Sequence, residues 1–450
     1  MSSFKKRIDH LSPAQIIVVF YVAAVGIAIL LLSLPITAKP GVDLSFLDIM
    51  FTAVSAISVT GLTVIHIADS FSTAGIFILI FILQIGGIGI MTLGTFLWLI
   101  LGKKIGLKER RLIMTDQNQS NLSGLVNLMK QIMYIILLIE LMGALILGTY
   151  FLKYYPTWQD AYLHGIFASV SATTNGGFDI TGQSLIPYAD DYFVQCVNII
   201  LITLGAIGFP VLIELKDFLL NTNQKVRFHF SLYTKLTSVT FFGLMIVGTI
   251  LILVIEFNRF FDGLSWHKSF FYAFFQSTTT RSGGLATMDV SQFSEPTLII
   301  ICMLMFIGAS PSSVGGGIRT TTFAINILFL INFARGRSTI KVFRRELDQT
   351  DIMKSLAVTL LASFMCAGSV IFLSITESLT FIEILFEVCS AFGTVGLSMG
   401  ITGELSVYGK LIIMALMFIG RIGLLTFLVI LGIKQKETLY NYPKERVIIG

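Results

Sequence analysis

The hydrophobic pattern of the chain repeats four times, each time as a long apolar run, a shorter half-apolar segment and a second long apolar run. The first long runs cover residues 16–34, 132–152, 236–255 and 355–376. The short segments cover residues 46–57, 160–172, 267–278 and 381–391, and the second long runs cover 73–101, 193–213, 296–334 and 411–433. About 20 apolar residues cross a bilayer as a helix, so the pattern predicts eight transmembrane helices. The short segments have about half that length, and we expect each to enter the membrane and return on the same side.

Each short segment carries the same residue pattern before a glycine. Ten positions before Gly61 stands Phe51, six before it Ser55, and five before it Ala56. The same offsets give Phe167, Ser171 and Ala172 before Gly177, Phe274, Thr278 and Thr279 before Gly284, and Phe386, Ser390 and Ala391 before Gly396. The period is roughly 110 residues, the size of a small domain. The sequence therefore predicts an all-α integral membrane fold of four tandem helix–pore-helix–helix repeats, with eight transmembrane helices and four re-entrant pore loops, around one central pore.

The four glycines suit an ion-selectivity filter. Non-helical backbone at membrane depth is stable only where it lines water or is buried in protein, so four re-entrant loops imply a shared aqueous path. Rings of backbone carbonyls can replace the water shell of K⁺, and glycine lets successive carbonyls face one axis. A single glycine would more often serve helix packing, but four in one frame favour the filter. The predicted filter, with K⁺ at its carbonyls, consists of Val59, Thr60, Gly61, Asn175, Gly176, Gly177, Ser282, Gly283, Gly284, Thr394, Val395 and Gly396.

A second glycine recurs in the middle of each second apolar run, at Gly86, Gly205, Gly308 and Gly420. Three of these begin the sequences GGIG, GAIG and GRIG, whereas the third begins a run of small residues that contains a proline. We expect that third helix to break inside the membrane. The run consists of Gly308, Ala309, Ser310, Pro311, Ser312, Ser313, Val314, Gly315, Gly316 and Gly317.

The cation Arg421 lies at mid-membrane in the GRIG sequence. Its insertion costs about 2.5 to 3.5 kcal/mol, so we expect it to face the pore or to bind carbonyls freed by the break in the third repeat. Together they would plug the cytoplasmic half of the path. The alternative is that Arg421 only ties two helices together.

Composition and charge support a membrane protein and fix its orientation. The chain is 55% hydrophobic and 13% charged, and 22 of its 31 Lys and Arg residues lie in segments 1–11, 102–111, 216–235, 335–354 and 434–450. Six lie in the alternating loops, so the positive-inside rule predicts that both termini are cytoplasmic. The repeats are predicted at residues 12–111, 128–220, 233–335 and 352–433, followed by a cytoplasmic tail, 434–450. The four cysteines stand singly and indicate neither a disulfide nor a zinc site.

On these glycines and the broken third-repeat helix, the chain resembles the membrane subunits of the Trk/Ktr/HKT superfamily of potassium transporters. The resemblance implies four repeats around one pore, one filter glycine per repeat, and an intramembrane gating loop at the third-repeat break. The Trk branch usually has extra helices before the first repeat; their absence here points to the Ktr branch. That branch implies a homodimer in the cell membrane, in contact with lipid, on a cytosolic ring that binds the regulatory nucleotide. This chain is expected to hold no cofactor and to bind no nucleic acid.

The main hypothesis is K⁺ uptake across the cell membrane, with dependence on Na⁺ left open. One alternative is a sodium-conducting relative; in plant members of the superfamily, serine in place of the first filter glycine goes with sodium preference, and here that residue is Gly61. A proton-coupled transporter would need paired intramembrane acids, and an embedded enzyme would need clustered ionisable residues. Glu140 lies within a span, where packing is favoured over an ion-binding role, and Arg281, beside the third filter segment, is expected to brace the loop through carbonyl contacts.

Overall fold

The computed structural model describes residues 12–89, 92–94, 105–116, 124–220, 228–337 and 339–431, with residues 443, 445 and 448 singly beyond them. The end of the predicted helix 73–101, the first three residues of the basic segment 102–111 and nearly all of the predicted tail 434–450 lie outside the described residues.

Each repeat contains a long first helix and a short pore helix, as predicted. The first helices are α1 (Pro13–Leu32), α6 (Leu125–Phe151), α10 (Leu232–Glu256) and α14 (Gln349–Thr376). The pore helices are α2 (Phe46–Ser58), α7 (Trp158–Thr173), α11 (Trp266–Thr279) and α15 (Phe381–Gly393). The four first helices are each long and apolar enough to cross a membrane.

The second helices all break inside the membrane, whereas the sequence predicted a break in the third repeat alone. They are α4 (Thr73–Ile88), α8 (Tyr192–Ala206) with α9 (Phe209–Leu219), α12 (Glu295–Ile307) with α13 (Thr320–Ala334), and α16 (Val407–Ile422) with α17 (Leu424–Leu431). The axes of α8 and α9 differ in direction by 105°. In repeats one, two and four the break falls at the last glycine of the GGIG, GAIG and GRIG sequences.

Those three glycines explain the breaks. Gly89, Gly208 and Gly423 have φ of 91°, 104° and 91° with ψ between 131° and 139°. An L-residue with a side chain rarely adopts that conformation, whereas glycine does so at little cost. The eight predicted spans therefore consist of four continuous helices and four broken ones.

A hydroxyl residue stands at the N-cap of each pore helix. Ser45, Thr157, Ser265 and Thr380 precede α2, α7, α11 and α15. The side chain of Ser45 accepts a hydrogen bond from the backbone N–H of Asp48 at 3.2 Å, and Thr380 forms a capping box with Glu383. Such caps satisfy backbone donors that a helix end would otherwise leave unpaired.

The repeats form a closed ring in sequence order. The second helices α4, α8, α12 and α16 pack against the pore helices α7, α11, α15 and α2, so that the fourth repeat contacts the first. The buried clusters follow the same rule. The cluster of the fourth repeat includes Phe51 and Val54 of the first pore helix, and that of the first repeat includes Phe167 and Val170 of the second. Each apolar core therefore joins two repeats, and the pore helices lie at the centre.

Several shorter elements were not predicted. The helix α5 (Leu107–Asp116) follows the first repeat, and the hairpin β1 (Lys341–Val342) and β2 (Arg345–Glu346) lies between α13 and α14. The helix α3 (Ile67–Ser70) and three single-turn 3₁₀ helices, Ile186–Tyr188, Val290–Gln292 and Ile401–Glu404, follow the pore segments.

Candidate functional site

The four marked glycines meet in one ring. A Cβ atom built on Gly61 would lie 2.8 Å from the Cα of Gly177, and one built on Gly177 would lie 3.0 Å from the Cα of Gly284. A Cβ on Gly284 would lie 3.4 Å from the Cα of Gly396, and one on Gly396 would lie 3.2 Å from the Cα of Gly61. The four φ angles lie between 66° and 96°. Both the close approach and the backbone conformation therefore require glycine.

Backbone oxygens of different repeats converge on this ring. The carbonyl oxygen of Gly176 would lie 2.5 Å from a Cβ built on Gly61, and that of Thr60 would lie 3.3 Å from one built on Gly177. The carbonyl oxygen of Val395 makes a corresponding approach to Gly284. Each of these oxygens belongs to the residue before a ring glycine.

The residue two positions before each ring glycine also has a positive φ. The angles are 55° at Val59, 53° at Asn175, 75° at Ser282 and 47° at Thr394. The amide plane that follows is thereby turned in the same sense in all four repeats. The residues predicted for the filter thus share one backbone conformation.

Hydroxyl side chains of the pore helices hold this backbone. Ser55 Oγ accepts a hydrogen bond from the N–H of Gly61, and Ser390 Oγ accepts one from the N–H of Gly396, both at 3.1 Å. In the second repeat, Ser171 Oγ donates instead to the carbonyl of Phe178 at 2.6 Å. The sequence frame marked these serines, but their contacts with the filter backbone were not predicted.

The third repeat departs from the predicted frame by one residue. Thr279, five positions before Gly284, donates its hydroxyl to the carbonyl of Leu285 at 2.7 Å, as Ser171 does to Phe178. The N–H of Gly283 also bonds to the carbonyl of Thr279, four residues earlier, whereas the other repeats span five residues at this point. The third filter segment is therefore one residue shorter, and the assignment of Thr278 to the serine position was wrong.

A cavity of about 560 Å³ lies on one side of the ring, where the chain continues beyond the four ring glycines, and all four glycines line it. Asp179 and Asp289 also line this cavity. One carboxylate oxygen of Asp179 accepts hydrogen bonds from the N–H groups of Thr181, Gly182 and Ser184 at 2.7 to 3.0 Å. We call this cavity the vestibule. Its acids give it a negative potential that attracts cations.

The segment 308–317, which we call the gate loop, lies directly against the filter. Ser282 Oγ donates to the carbonyl oxygen of Thr394 at 2.5 Å and accepts from the N–H of Gly316 at 3.3 Å. A Cβ built on Gly316 would lie 2.5 Å from Thr394 Oγ1, and one built on Gly315 would lie 2.6 Å from the Cβ of Ser282. The glycines of the loop therefore permit its close approach to two filter segments.

The gate loop is also bonded to the broken helix of the second repeat. The N–H of Ser310 donates to the carbonyl of Ala206 at 3.0 Å, and the N–H of Val314 donates to that of Gly205 at 3.3 Å. The carbonyl of Ser312 accepts from the N–H of Phe209 at 2.8 Å. The break in the second repeat thus supplies partners for the freed backbone groups of the third.

Arg421 joins three repeats. Its guanidinium donates to the carbonyl oxygens of Val314 in the gate loop and of Gly86 in the first repeat, with a third contact of 3.3 Å to Gly87. The side chain is 7% exposed. Arg421 therefore binds a carbonyl of the segment 308–317, which is one of the two arrangements expected from the sequence.

A second arginine in contact with the gate loop was not predicted. Arg319 stands at the N-cap of α13 with φ of 81°, and its guanidinium donates to the carbonyls of Gly315 and, at 3.3 Å, Ser310. The sequence signal was available, because Arg319 also lies inside the second apolar run of its repeat.

Arg281 and Glu140, the two other ionisable residues that the sequence analysis named, form no hydrogen bond to the gate loop within the described structure. Arg281 is fully buried, and its one hydrogen bond in the described structure is to Thr280 Oγ1 at 3.3 Å rather than to a carbonyl; its Nε and Nη1 have no partner there. Glu140 on α6 is buried and accepts a hydrogen bond from Gln84 on α4. Its observed partner is therefore a side chain of the neighbouring repeat.

Comparison with known proteins gives matches over nearly the whole chain. The family described as TrkH, cation transport protein, matches residues 4–440. The Ktr system potassium uptake protein D of Bacillus subtilis (strain 168) is 63% identical over 99% of both chains. The Ktr system potassium uptake protein B of the same organism is 36% identical over 98% of this chain and 97% of the relative. The crystal structure of the potassium transporter TrkH from Vibrio parahaemolyticus superposes with a TM-score of 0.74 at 20% identity, covering 94% of this chain and 86% of that one, which supports the fold.

Proposed function

Because the chain belongs to the TrkH family of cation transport proteins, we propose that it takes up K⁺ across the cell membrane through the ring of four glycines. The observation that carries the proposal is the closure of that ring: one glycine from each repeat, with backbone oxygens between them. The relatives named above are potassium uptake proteins, which favours K⁺ over the sodium-conducting and proton-coupled alternatives and over a membrane-embedded enzyme.

Selection of K⁺ would occur at the filter carbonyls. An ion that leaves the water of the vestibule loses its hydration shell, and the converging backbone oxygens replace it. The C-terminal ends of the four pore helices point their partial negative charge toward the same place. The vestibule acids raise the local concentration of cations but do not distinguish K⁺ from Na⁺.

The gate loop and Arg421 would control passage on the inner side of the filter. A guanidinium fixed to carbonyls of the loop and of the first repeat places a positive charge near the ion path and holds the loop beneath the filter. Flow would then require these hydrogen bonds to break. Selectivity would stay with the filter, and the rate would be set at the loop.

Regulation would come from a cytosolic partner. The two Bacillus relatives are named as parts of a Ktr system, which supports a partner regulatory subunit. The finer proposal is a homodimer on a nucleotide-binding ring, with both termini cytoplasmic as the distribution of Lys and Arg predicts. The ring would contact the basic segments 102–111 and 335–354. Copurification from the native membrane tests this; protein that brings down no cytosolic subunit, and whose flux ignores added nucleotides, would exclude the regulated assembly.

The test of transport is rubidium flux into liposomes that contain the purified chain. K⁺ is expected to compete with rubidium at far lower concentration than Na⁺ or Li⁺. Equal competition by Na⁺ and K⁺ would favour the sodium-conducting alternative. A requirement for a proton gradient would favour the coupled transporter. Empty liposomes provide the control for leak.

A further inference from the structure

A second cavity, of about 540 Å³, lies between the C-terminal end of α13 and the N-terminal end of α14. Its lining is mainly apolar and includes Phe329, Phe333, Ile340, Ile352 and Met353. Phe333 and Met353 are 72% and 66% exposed, so the cavity opens onto the surface of the protein along these helices. No residue of the filter or the gate loop lines it.

Five cations lie on the connection between the two helices that form this cavity. The connection between the two helices carries Arg335, Arg337, Lys341, Arg344 and Arg345, all exposed, and Arg337 lines the cavity itself. None of the five forms an ion pair within the described part of the chain.

Three acids in the same stretch offset part of this charge. Asp348 accepts hydrogen bonds from Thr350 at the N-cap of α14, Asp351 pairs with Lys354 at 3.3 Å, and Glu346 lies opposite Lys341 in the hairpin. Residues 335–354 hold six Lys and Arg residues against three Asp and Glu residues, which leaves a net charge of +3. The connection beside the apolar cavity is therefore positively charged.

We propose that this cavity binds an anionic phospholipid, with an acyl chain along Phe329, Phe333 and Ile352 and the phosphate facing Arg337. Basic pockets between helices at the cytoplasmic surface match the head groups of anionic lipids, and the apolar lining matches the chain. A zwitterionic lipid offers the same chains without a net charge to complement the five cations. The proposal does not depend on K⁺ transport, and it uses the proposed orientation only to assign the inner leaflet. The same connection belongs to the basic segment 335–354 that is proposed to contact the cytosolic ring. The lipid site takes Arg337, which lines the cavity, and Lys341, and it leaves Arg344 and Arg345 for the ring.

The position of the cavity links the lipid to the gate. The helix α13 begins directly after Arg319, whose guanidinium holds the carbonyls of Gly315 and Ser310, and it ends at the cavity. A lipid that fixes the far end of α13 would restrict the movement of the gate loop.

Native mass spectrometry of the purified full chain, exchanged into mixtures of phosphatidylglycerol and phosphatidylcholine, tests the site. We expect the wild type to retain phosphatidylglycerol selectively. The double variant R337Q/K341Q removes two of the five cations, and each should contribute about fivefold to retention, so that the variant binds roughly 30-fold less. The matched control is K354Q, which removes a cation of α14 that pairs with Asp351 and does not line the cavity.

A second variant tests the cavity rather than the charge. Met353→Trp adds volume to the lining without changing charge, and it should displace the lipid while the five cations remain. Equal retention of the two lipids by the wild type, or equal loss in K354Q, would overturn the proposal. If R337Q/K341Q and Met353→Trp both retain phosphatidylglycerol as the wild type does, the lipid site is excluded, and the cations of residues 335–345 are assigned to a protein partner instead. Because the readout is bound lipid, failure here is distinguishable from failure of K⁺ transport.

Discussion

Two positions before each ring glycine, a residue other than glycine adopts a left-handed backbone conformation: Val59, Asn175, Ser282 and Thr394. That conformation is unfavourable for Val59 and Thr394, whose branched Cβ atoms crowd the backbone. Hydrogen bonds hold this conformation in place. The N–H groups of Val59 and Thr394 bond to carbonyls three residues earlier, and those of the next residues, Thr60 and Val395, bond to carbonyls five residues earlier. Strain of this kind is stable only where the surrounding structure fixes it, and here it fixes where the carbonyls point.

The sequence located the four ring glycines but could not reveal the shorter third segment. A frame counted from Gly284 tolerates a one-residue shift, because Phe274 and Phe275 are adjacent, as are Thr278 and Thr279. Burial distinguishes them: Phe275 is fully buried and Phe274 is not. Residue type alone did not carry that information.

Gly61→Ser should admit Na⁺. The added Cβ would lie 2.5 Å from the carbonyl oxygen of Gly176, so that oxygen must move and can no longer replace the water shell of the larger ion. We expect the preference for K⁺ over Na⁺ in rubidium-competition assays to fall by about tenfold, the effect of 1.4 kcal/mol. Gly26→Ser on α1, where a Cβ meets nothing within 4 Å, is the control. Unchanged selectivity in a folded Gly61→Ser protein would remove Gly61 from the filter.

Arg281→Met decides between a bracing and a functional role for this buried cation. Two of its three guanidinium nitrogens have no hydrogen-bond partner in the described structure, so its charge is poorly compensated. We expect the thermal stability of the purified variant to rise by about 1 to 4 kcal/mol, with altered ion selectivity. The same change at the exposed Arg259 should have an effect within about 0.5 kcal/mol. A loss of stability in Arg281→Met would favour bracing.

At the scale of elements, the broken helices contain two kinds of glycine that look alike in sequence. Gly86 and Gly420 permit close packing, because a Cβ there would contact the carbonyl oxygens of Ile57 and Phe392 at the ends of pore helices. Gly89 and Gly423, three residues later, break the helix through their positive φ. Helical periodicity continues through both, so the sequence predicted continuous helices in three repeats. Pro311 led to the predicted break in the third repeat, whereas Pro210, which directly follows the break of the second repeat, was a signal that the prediction did not use.

Gly423→Ala isolates the backbone effect. A Cβ at this position meets nothing within 4 Å, so the cost comes from the conformation alone, about 1 to 3 kcal/mol of unfolding free energy. Gly368→Ala in the continuous helix α14, also with open space, should stabilise the protein by about 0.5 to 1 kcal/mol. Thermal unfolding in detergent measures both. Equal effects at the two positions would contradict the assignment of Gly423 as a break.

Arg421→Ala should speed rubidium flux while the preference for K⁺ over Na⁺ is kept. The change removes charge-assisted hydrogen bonds to the gate loop and the first repeat, and one such bond contributes about 1.5 kcal/mol, or about tenfold in the open fraction. Deletion of residues 310–314 should have the same effect, and Arg259→Ala should have none. Folded variants with unaltered or slower flux would leave Arg421 as a structural tie between helices.

At the scale of the molecule, the four-repeat fold and the family were predictable from the sequence, and both are confirmed. A period of roughly 110 residues with three helical segments defines each unit. It does not show that each apolar core includes the pore helix of the next repeat, because such contacts join residues far apart in the chain. The clearest example is the contact of the fourth repeat with the first, which closes the ring.

That closure includes an ion pair that can be tested directly. Lys410, in the first turn of α16, lies 3.3 Å from Asp48 in the first turn of α2, and both side chains are largely buried. A double-mutant cycle with Asp48→Asn and Lys410→Met should give a coupling of about 1 kcal/mol in thermal unfolding.

The cycle cancels the partial loss of the Ser45 cap, since that loss occurs with and without Lys410. The exposed pair of Asp351 and Lys354 lies within one helix and should couple by about 0.3 to 0.5 kcal/mol. Because residues 48 and 410 belong to the first and fourth repeats, a coupling near 1 kcal/mol would confirm that this ion pair stabilises the contact that closes the ring. Zero coupling would leave that closure to the apolar contacts between the two repeats alone.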